Sequence, residues 1–188
     1  MTLEGVRRAL ARYVPEPDDG PGAAPAAVAV ILHQGAGGIE ALFIHRAERA
    51  GDVWSGQIAF PGGRRDPGDR DLLATAVRET REEIGVDLSR VERLGTLSDL
   101  RPRTPVLPPI YVRPFVFAVT ERPPIALSPE VQGVFWVPFR RLLEPGVHRE
   151  VTIEVGGIER SFPAYSLGGQ VIWGMTERIL TALLELVS

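Results

Sequence analysis

Strand-like and helix-like segments alternate along this chain of 188 residues, and the strands are more numerous. Apolar runs such as AAVAVILHQ (26–34) and IYVRPFVFAVT (110–120) are typical of buried strands. Three stretches, 2–14, 70–85 and 171–187, have apolar residues at helical spacing. Because the two kinds of element are interspersed, the pattern predicts an α/β (α+β) fold, in which helices cover the faces of a mixed β-sheet.

The length of the chain fits one domain spanning residues 1–188. Within it, residues 1–25 are predicted to form an N-terminal helix and a Pro/Gly-rich linker. That linker would let the first helix swing or pack independently. The run IEALFIHR (39–46) predicts a hairpin with the strand before it, through the GAGG turn. Further short strands are predicted at GQIAF, RVERLGTLS, GVFWV, EVTIEV and RSFPAY, and a short helix at FRRLL.

The composition limits the classes of partner. A net charge of -3 argues against a broad basic surface for nucleic acid or anionic lipid, so we expect a small-molecule substrate and neither of those partners. The chain has no cysteine, which excludes disulfides, a thiolate nucleophile and Cys-ligated zinc. No apolar run is long enough for a membrane span and no signal peptide is visible, so we expect a soluble cytoplasmic protein. The oligomeric state is open, and a homodimer is one option.

The segment RETREEIGV crowds three carboxylates, Glu79, Glu82 and Glu83, into one sector of a predicted helix. Like charges at these spacings repel by a few tenths of a kcal/mol each. A hard divalent cation prefers carboxylate oxygens and would remove that repulsion. The alternative is an ordinary charged outer face, since Arg78 and Glu82 form an acceptable i,i+4 pair. The preceding FPGG favours the metal, because glycine backbone can closely approach a phosphate or a cation.

The stretch GGRRDPGDRDLLATAVRETREEIGV (62–86) resembles the Nudix box, the signature of hydrolases that cleave a diphosphate linked to another moiety. The second half of the box matches Arg78, Glu79, Glu82, Glu83, Gly85 and Val86. This resemblance implies a Nudix α/β/α sandwich with a mixed β-sheet, and Mg²⁺ or Mn²⁺ as the cofactor. It further implies that Glu79, Glu82, Glu83 and Gly63 are metal ligands, and that Glu82, Glu83 and Glu130 are catalytic.

The first half of the box departs from the family pattern. Counting from Gly63 puts the family's first glutamate at Asp69, whereas counting back from Arg78 puts it at Arg70, so the turn holds one extra residue. The resemblance implies that Asp69 or Asp71 takes over the task of holding Arg78. Gly85 is expected to end the helix.

The segment before the box, LFIHRA followed by SGQIAFPGG, resembles the corresponding motif of coenzyme A pyrophosphatases. The matching positions are Arg46, Ala47, Gly56, Phe60, Pro61, Gly62 and Gly63. The spacing between its two parts is one residue longer than in that motif. Arg49 matches the second expected arginine only loosely. The resemblance implies that metal-activated water attacks the diphosphate of coenzyme A, giving 4'-phosphopantetheine and adenosine 3',5'-bisphosphate.

Several residues are candidates for substrate contact. The phosphates would be met by Gly62 and by Arg46, Arg49, Arg64 and Arg65, and the 3'-phosphate by Arg101 and Arg103. Each arginine could instead be an ordinary solvated side chain. The resemblance implies that Glu130 is an extra metal ligand or the general base, a role for which Glu82 competes; the alternative is an exposed loop acid. Trp173 and Met175 either line a pantetheine pocket or pack in the core.

Two other functions remain open. Within the same resemblance, the substrate could be ADP-ribose, NADH or another nucleoside diphosphate derivative. From a different class, the chain could be a Nudix module that binds a nucleotide without cleaving it. Such a module would be expected to lose the glutamates of the box, and all three persist here.

Overall fold

The computed structural model describes residues 1–18, 22–48, 56–102, 109–155 and 157–188. The helices in these ranges are α1 (Leu3–Arg12), α2 (Leu72–Ile84), α3 (Phe139–Leu142) and α4 (Gly174–Val187). The strands are β1 (Ala24–Gly35), β2 (Gly38–Arg46), β3 (Ile58–Ala59), β4 (Gly62–Arg64), β5 (Glu92–Thr96), β6 (Ile110–Val119), β7 (Val131–Pro138), β8 (His148–Val155), β9 (Ile158–Leu167) and β10 (Gln170–Trp173). Among the described residues, no helix is both long and apolar enough to cross a membrane.

A seven-stranded mixed sheet forms the centre of the molecule. Its main path runs β3-β2-β1-β6-β5, while β4 pairs with β1 and β7 pairs with β2. Strands β1 and β6 are parallel from the pair Ala24 and Ile110 to the pair His33 and Val119. The other pairings in this sheet are antiparallel, including the predicted hairpin of β1 and β2.

Strand β1 is buried on both sides, because side chains alternate between the two faces of the sheet. Ala27, Ala29 and Ile31 pack towards α2 in one apolar cluster. Val30 and Leu32 belong to a second cluster, which includes residues of α1, α4 and the smaller sheet. Helices therefore cover both faces of a mixed sheet, and the predicted α/β/α sandwich is confirmed.

The strands predicted at EVTIEV and RSFPAY lie in β8 and β9. Together with β10, which was not predicted, they form a separate antiparallel sheet rather than part of the single predicted sheet. The prediction that the last helix begins at Val171 was wrong, because 170–173 pairs with β9. The β-branched and aromatic residues there favour a strand. Gly174, at φ +68°, is the first residue of α4 and follows this strand directly. The strand predicted at GQIAF is short, Ile58–Ala59, and the glycines that follow it, Gly62 and Gly63, lie in a strand of their own, β4.

Helix α1 packs on the sandwich rather than standing apart from it. Thr2 caps the helix by accepting a hydrogen bond from the backbone N–H of Gly5 at 3.2 Å. Val6 and Leu10 are buried, and a Cβ placed on Gly95 would lie 2.9 Å from that of Leu10. In the structure α1 is therefore part of the core packing. The independent position that the linker composition allowed for this helix is not seen.

We predict that Leu10→Ala lowers the free energy of unfolding by about 2–4 kcal/mol, because it removes buried methyl groups and leaves a cavity beside β5. Arg8→Ala changes an exposed residue of the same helix and is expected to cost less than about 0.5 kcal/mol. Urea denaturation of both variants measures the difference. Equal costs would mean that α1 contributes little to the core.

Candidate active site

Two glycines of β4 allow α2 to approach the sheet closely. A Cβ on Gly62, whose φ is +153°, would lie 2.2 Å from the carbonyl oxygen of Ala27. A Cβ on Gly63 would lie 2.5 Å from Cδ of Glu79. The backbone N–H of Gly62 donates to Oε2 of Glu83 at 2.9 Å. The backbone contact and the positive φ require glycine at position 62, whereas a side chain at position 63 would displace the Glu79 carboxylate. The two glycines therefore let two carboxylates of α2 lie against the β4 backbone.

Burial controls the ionisation of these two carboxylates. Glu83 is only 3% exposed, and burial raises its pKa to about 7. The Gly62 N–H and the guanidinium of Arg46, 3.5 Å from Oε1, favour the charged form but do not offset burial. Burial also raises the pKa of Glu79, against the opposing effect of Arg78. Glu130 acts on both groups as a further negative charge.

Arg78 connects α2 to the loop that precedes it. Its Nε and Nη2 donate to the two carboxylate oxygens of Asp69 at 3.0 and 2.9 Å. Nη2 also donates to the carbonyl of Arg64 at 3.1 Å. The Arg78 guanidinium, assisted by the hydroxyl of Thr75 at 2.9 Å, holds the pKa of Asp69 well below its usual range.

Of the two aspartates left open by the sequence, Asp69 is the one that binds Arg78. Asp71 instead caps α2, accepting a hydrogen bond from the backbone N–H of Ala74 at 2.8 Å. Gly85 follows the helix at φ +74°, where a Cβ would lie 2.9 Å from that of Ala126.

Glu82 does not join the other two glutamates of α2. Its side chain is 59% exposed, and Oε2 accepts a hydrogen bond from Nη1 of Arg78 at 2.9 Å. The same Nη1 donates to Glu79, also at 2.9 Å, so Arg78 lies between these two carboxylates. In the described ranges, no three acidic or histidine side chains are close enough together to hold a metal ion. The metal role of Glu82 therefore stays a prediction.

A cleft of about 520 Å³ lies over this region and has two chemically different ends. The polar end is lined by Arg46, Gln57, Gly62, Gly63, Arg64, Glu79, Glu83 and Glu130. The apolar end is lined by Val155, Phe162, Pro163, Trp173 and Met175, from the smaller sheet and the start of α4. The carboxylates of Glu79, Glu83 and Glu130, the amide oxygen of Gln57 and the backbone at Gly62 and Gly63 offer oxygen ligands at the polar end. This chemistry suits a hard cation such as Mg²⁺.

The remaining predicted residues fall outside the cleft or outside the described residues. Arg65 donates to the carbonyls of Asp69 and Arg70, at 2.9 and 3.2 Å through Nη2, and so supports the loop. Arg101 binds the carboxylate of Asp18 and is not among the cleft-lining residues. Its predicted contact with a 3'-phosphate is therefore not supported. Arg49 and Arg103 lie outside the described residues.

Four cleft residues with polar side chains were not singled out from the sequence: Gln57, Thr176, Glu177 and Arg178. Glu177 is buried and accepts from Thr181 at 2.9 Å, and its Oε1 lies 2.8 Å from Nε2 of His148. In the sequence, Glu177 and Arg178 could be noticed only as part of the TER run of the final helix. The predicted start of that helix, at Val171, was wrong. Trp173 and Met175 line the cleft, and the Trp173 ring lies 5.2 Å from that of Phe162.

We predict that Asp69→Asn lowers the free energy of unfolding by about 2–3 kcal/mol, because Arg78 loses the buried carboxylate that it binds through two hydrogen bonds and keeps only Glu79 and Glu82 as charged partners. Asp71→Asn is the matched control, since asparagine also caps helices, and it is expected to cost less than about 0.5 kcal/mol. Urea denaturation at neutral pH measures both. A larger loss for the Asp71 variant would reverse the assignment.

The raised pKa of Glu83 predicts a pH effect on the stability of the metal-free protein. Because its folded-state pKa, about 7, exceeds the usual 4.5, Glu83 contributes stability below pH 4.5 that is lost as pH rises through 7. The contribution is on the order of 3 kcal/mol. Denaturation with a chelator between pH 5 and 8 should show the wild type losing stability relative to Glu83→Gln. A constant difference across that range would contradict the burial effect.

Comparison with known proteins is consistent with this geometry. The family model described as NUDIX domain matches residues 23–158. A protein named Nudix hydrolase NudL from Yersinia pestis (strain Pestoides F) is 34% identical over 135 residues, covering 71% of this chain and 66% of the relative. NudL of Yersinia pseudotuberculosis serotype O:1b (strain IP 31758) gives the same values. The match thus spans slightly less than two thirds of these relatives.

Solved structures show the same fold. A MutT/nudix family protein from Enterococcus faecalis has a TM-score of 0.56 at 21% identity, covering 98% of this chain and 68% of that one. A C. elegans Ap4A hydrolase, in a binary complex, has a TM-score of 0.51 at 25% identity, covering 61% of this chain and 80% of that one. Because the family match covers most of the sequence and contains β4 and α2 entirely, this chain belongs to the NUDIX domain family.

Proposed function

We propose that this protein is a metal-dependent hydrolase that cleaves the diphosphate of coenzyme A or a derivative, giving 4'-phosphopantetheine and adenosine 3',5'-bisphosphate. One observation carries the proposal. Arg46, Gly62 and Gly63, from the segment that resembles coenzyme A pyrophosphatases, line the same cleft as Glu79 and Glu83. That cleft continues into an apolar end suited to the pantetheine chain.

NUDIX hydrolases generally use divalent metal ions, and we propose Mg²⁺ or Mn²⁺ here. Glu79 and Glu83 would hold the ion, with Gly63 beside them and Glu82 joining from the same helix once its side chain leaves Arg78. A bound divalent cation supplies polarisation of the phosphoryl group and a lower pKa for the attacking water. Binding would also relieve the mutual repulsion that helps raise the pKa values of Glu79 and Glu83.

The arginines at the polar end would bind and orient the diphosphate. Arg46 lies beside Glu83 and Arg64 lies in β4, so both reach the cleft from positions next to the carboxylates. A guanidinium fork matches two phosphate oxygens, which fixes the phosphoryl group in one orientation. Arg78 is a positioning residue, since its bonds to Asp69 and to the Arg64 carbonyl hold the loop against α2.

Two glutamates compete for removal of the proton from water. Glu130 lines the cleft, whereas Glu82 is exposed outside it and bound to Arg78. A general base must come within hydrogen-bond distance of the proton it accepts, directly or through one water. The location of Glu130 therefore favours it as the base.

A second candidate function uses the same polar end. ADP-ribose, NADH and other nucleoside diphosphate derivatives would place a diphosphate against the same glutamates and arginines. The similarity to a C. elegans Ap4A hydrolase supports a nucleotide derivative without selecting coenzyme A. The apolar wall of Phe162, Trp173 and Met175 favours coenzyme A, because its pantetheine part is long and less polar than a second nucleoside.

The test is to incubate the purified protein with coenzyme A, ADP-ribose and NADH separately, with Mg²⁺ or Mn²⁺, and to follow products by chromatography. Adenosine 3',5'-bisphosphate from coenzyme A, at a higher rate than products from the other two, would support the proposal. Preference for ADP-ribose or NADH would support the second candidate. No turnover of any would favour the non-catalytic nucleotide-binding module.

We predict that Glu79→Gln and Glu83→Gln each lower kcat at least about a hundredfold, because each removes a charged ligand from the metal site. Glu154→Gln, at an exposed position of β8, is the control and should retain wild-type activity. Circular dichroism of each variant checks that the fold persists. Folded variants with wild-type turnover would exclude these carboxylates as the metal site.

A further inference from the structure

Glu177 places a carboxylate at the apolar end of the cleft, in a position that the proposed mechanism does not use. It lies in the first turn of α4 and lines the cleft together with Phe162, Trp173 and Met175. Only 4% of this residue is exposed. A carboxylate among apolar side chains loses much of its hydration, so it needs hydrogen-bond donors to replace the lost water.

Two donors hold one oxygen of this carboxylate. The hydroxyl of Thr181 donates to Oε1 at 2.9 Å, and Nε2 of His148 lies 2.8 Å from the same oxygen and donates to it, because a carboxylate only accepts. The Thr181 hydroxyl has one proton, so the hydroxyl of Tyr165, 2.8 Å away, donates to Thr181 in turn. The position of Glu177 is therefore fixed by β8, β9 and its own helix.

The other oxygen, Oε2, accepts no hydrogen bond from the residues that the structure describes. Both hydrogen bonds of the carboxylate are at Oε1. In the described ranges, the one side-chain atom that is buried without a hydrogen bond belongs to a different residue. Oε2 is therefore reached by solvent, and the solvent space beside Glu177 is the cleft.

We propose that Glu177 is a specificity-determining residue, whose Oε2 accepts a hydrogen bond from an amide N–H of the substrate. This inference rests on the proposed function, in which the pantetheine chain fills the apolar end of the cleft. That chain carries secondary amides, and an amide N–H that enters an apolar pocket without an acceptor loses binding free energy. Glu177 supplies that acceptor among side chains that otherwise offer only apolar contact.

The start of α4 supplies donors beside this acceptor. No side chain caps the helix. The backbone N–H groups of a helix's first turn have no partner within the helix, and Gly174 and Met175 line the cleft at this turn. A secondary amide has one N–H and one carbonyl, so it matches an acceptor and a donor set close together. This match favours an amide over the several hydroxyls of a sugar.

The test compares the binding of the two products of the proposed reaction by titration calorimetry with Mg²⁺. Glu177→Gln should bind 4'-phosphopantetheine about 10- to 100-fold more weakly than the wild type, and adenosine 3',5'-bisphosphate equally well. Because His148 and Thr181 donate to one position, the glutamine oxygen is expected there, and its NH₂ group would face the cleft. The variant thus keeps the packing but presents a donor to the substrate N–H. Glu185→Gln, at an exposed position of the same helix, is the control and should change neither affinity.

A change in the ligand gives a second measurement, which does not depend on how well the variant folds. An analogue of 4'-phosphopantetheine with ester oxygens in place of the amide nitrogens keeps the carbonyls but lacks the N–H groups. The wild type should bind this analogue about 10- to 100-fold more weakly than 4'-phosphopantetheine. Equal affinity of the wild type for both ligands would overturn the inference.

Turnover of coenzyme A separates failure of this inference from failure of the proposed function. Glu177→Gln should raise KM about tenfold or more and leave kcat within about twofold, because the carboxylate lies at the other end of the cleft from the diphosphate. A folded variant with wild-type KM and wild-type affinity for 4'-phosphopantetheine would overturn the inference and leave the proposed function intact. A wild type that does not hydrolyse coenzyme A, but whose binding of 4'-phosphopantetheine is lost in Glu177→Gln, would reject the proposed function and support the inference.

Discussion

The site depends on how closely α2 approaches the backbone of β4. A side chain on Gly62 would overlap the carbonyl of Ala27, and one on Gly63 would overlap the carboxylate of Glu79. With both side chains absent, the Gly62 N–H can bind Glu83 directly and the two carboxylates reach the cleft. The Arg78–Asp69 pair then closes the loop between strand and helix, so that backbone, loop and carboxylates form one unit.

The close packing of these carboxylates lowers the stability of the metal-free protein, but it groups oxygen ligands at the cleft. Glu83 is buried, Glu79 is partly buried and Glu130 is near both, and the charged form of Glu83 is disfavoured up to a pH of about 7. An ordinary core would place apolar side chains at these positions. Arg78 limits the repulsion by lying between Glu79 and Glu82, and a cation would replace part of that compensation. Such local strain is common where a protein binds metal or performs catalysis.

Much of the fold and part of the site could be predicted from the sequence, for identifiable physical reasons. The β1–β2 hairpin and α2 followed from periodicity, because their apolar faces are continuous. Two strands of the second sheet, β8 and β9, were predicted, but β10 was missed because Val171 and Ile172 fit both a helix and a strand, and only pairing with β9 decides. Asp69 and Asp71 were equivalent in sequence until the loop conformation separated the partner of Arg78 from the helix cap. Arg178 could not be predicted, since its position in the cleft depends on strand pairings distant in the chain.

The parallel pairing of β1 with β6 has a consequence for synthesis of the protein. The partners, such as Ala24 and Ile110, are 86 residues apart, so contacts formed early along the chain cannot complete the central sheet. The antiparallel hairpin of β1 and β2 can form as soon as it leaves the ribosome, but it leaves one edge of β1 without its neighbour. The backbone N–H and C=O groups along that edge stay unpaired until β6 has been translated, and during this interval the nascent chain can pair with another molecule.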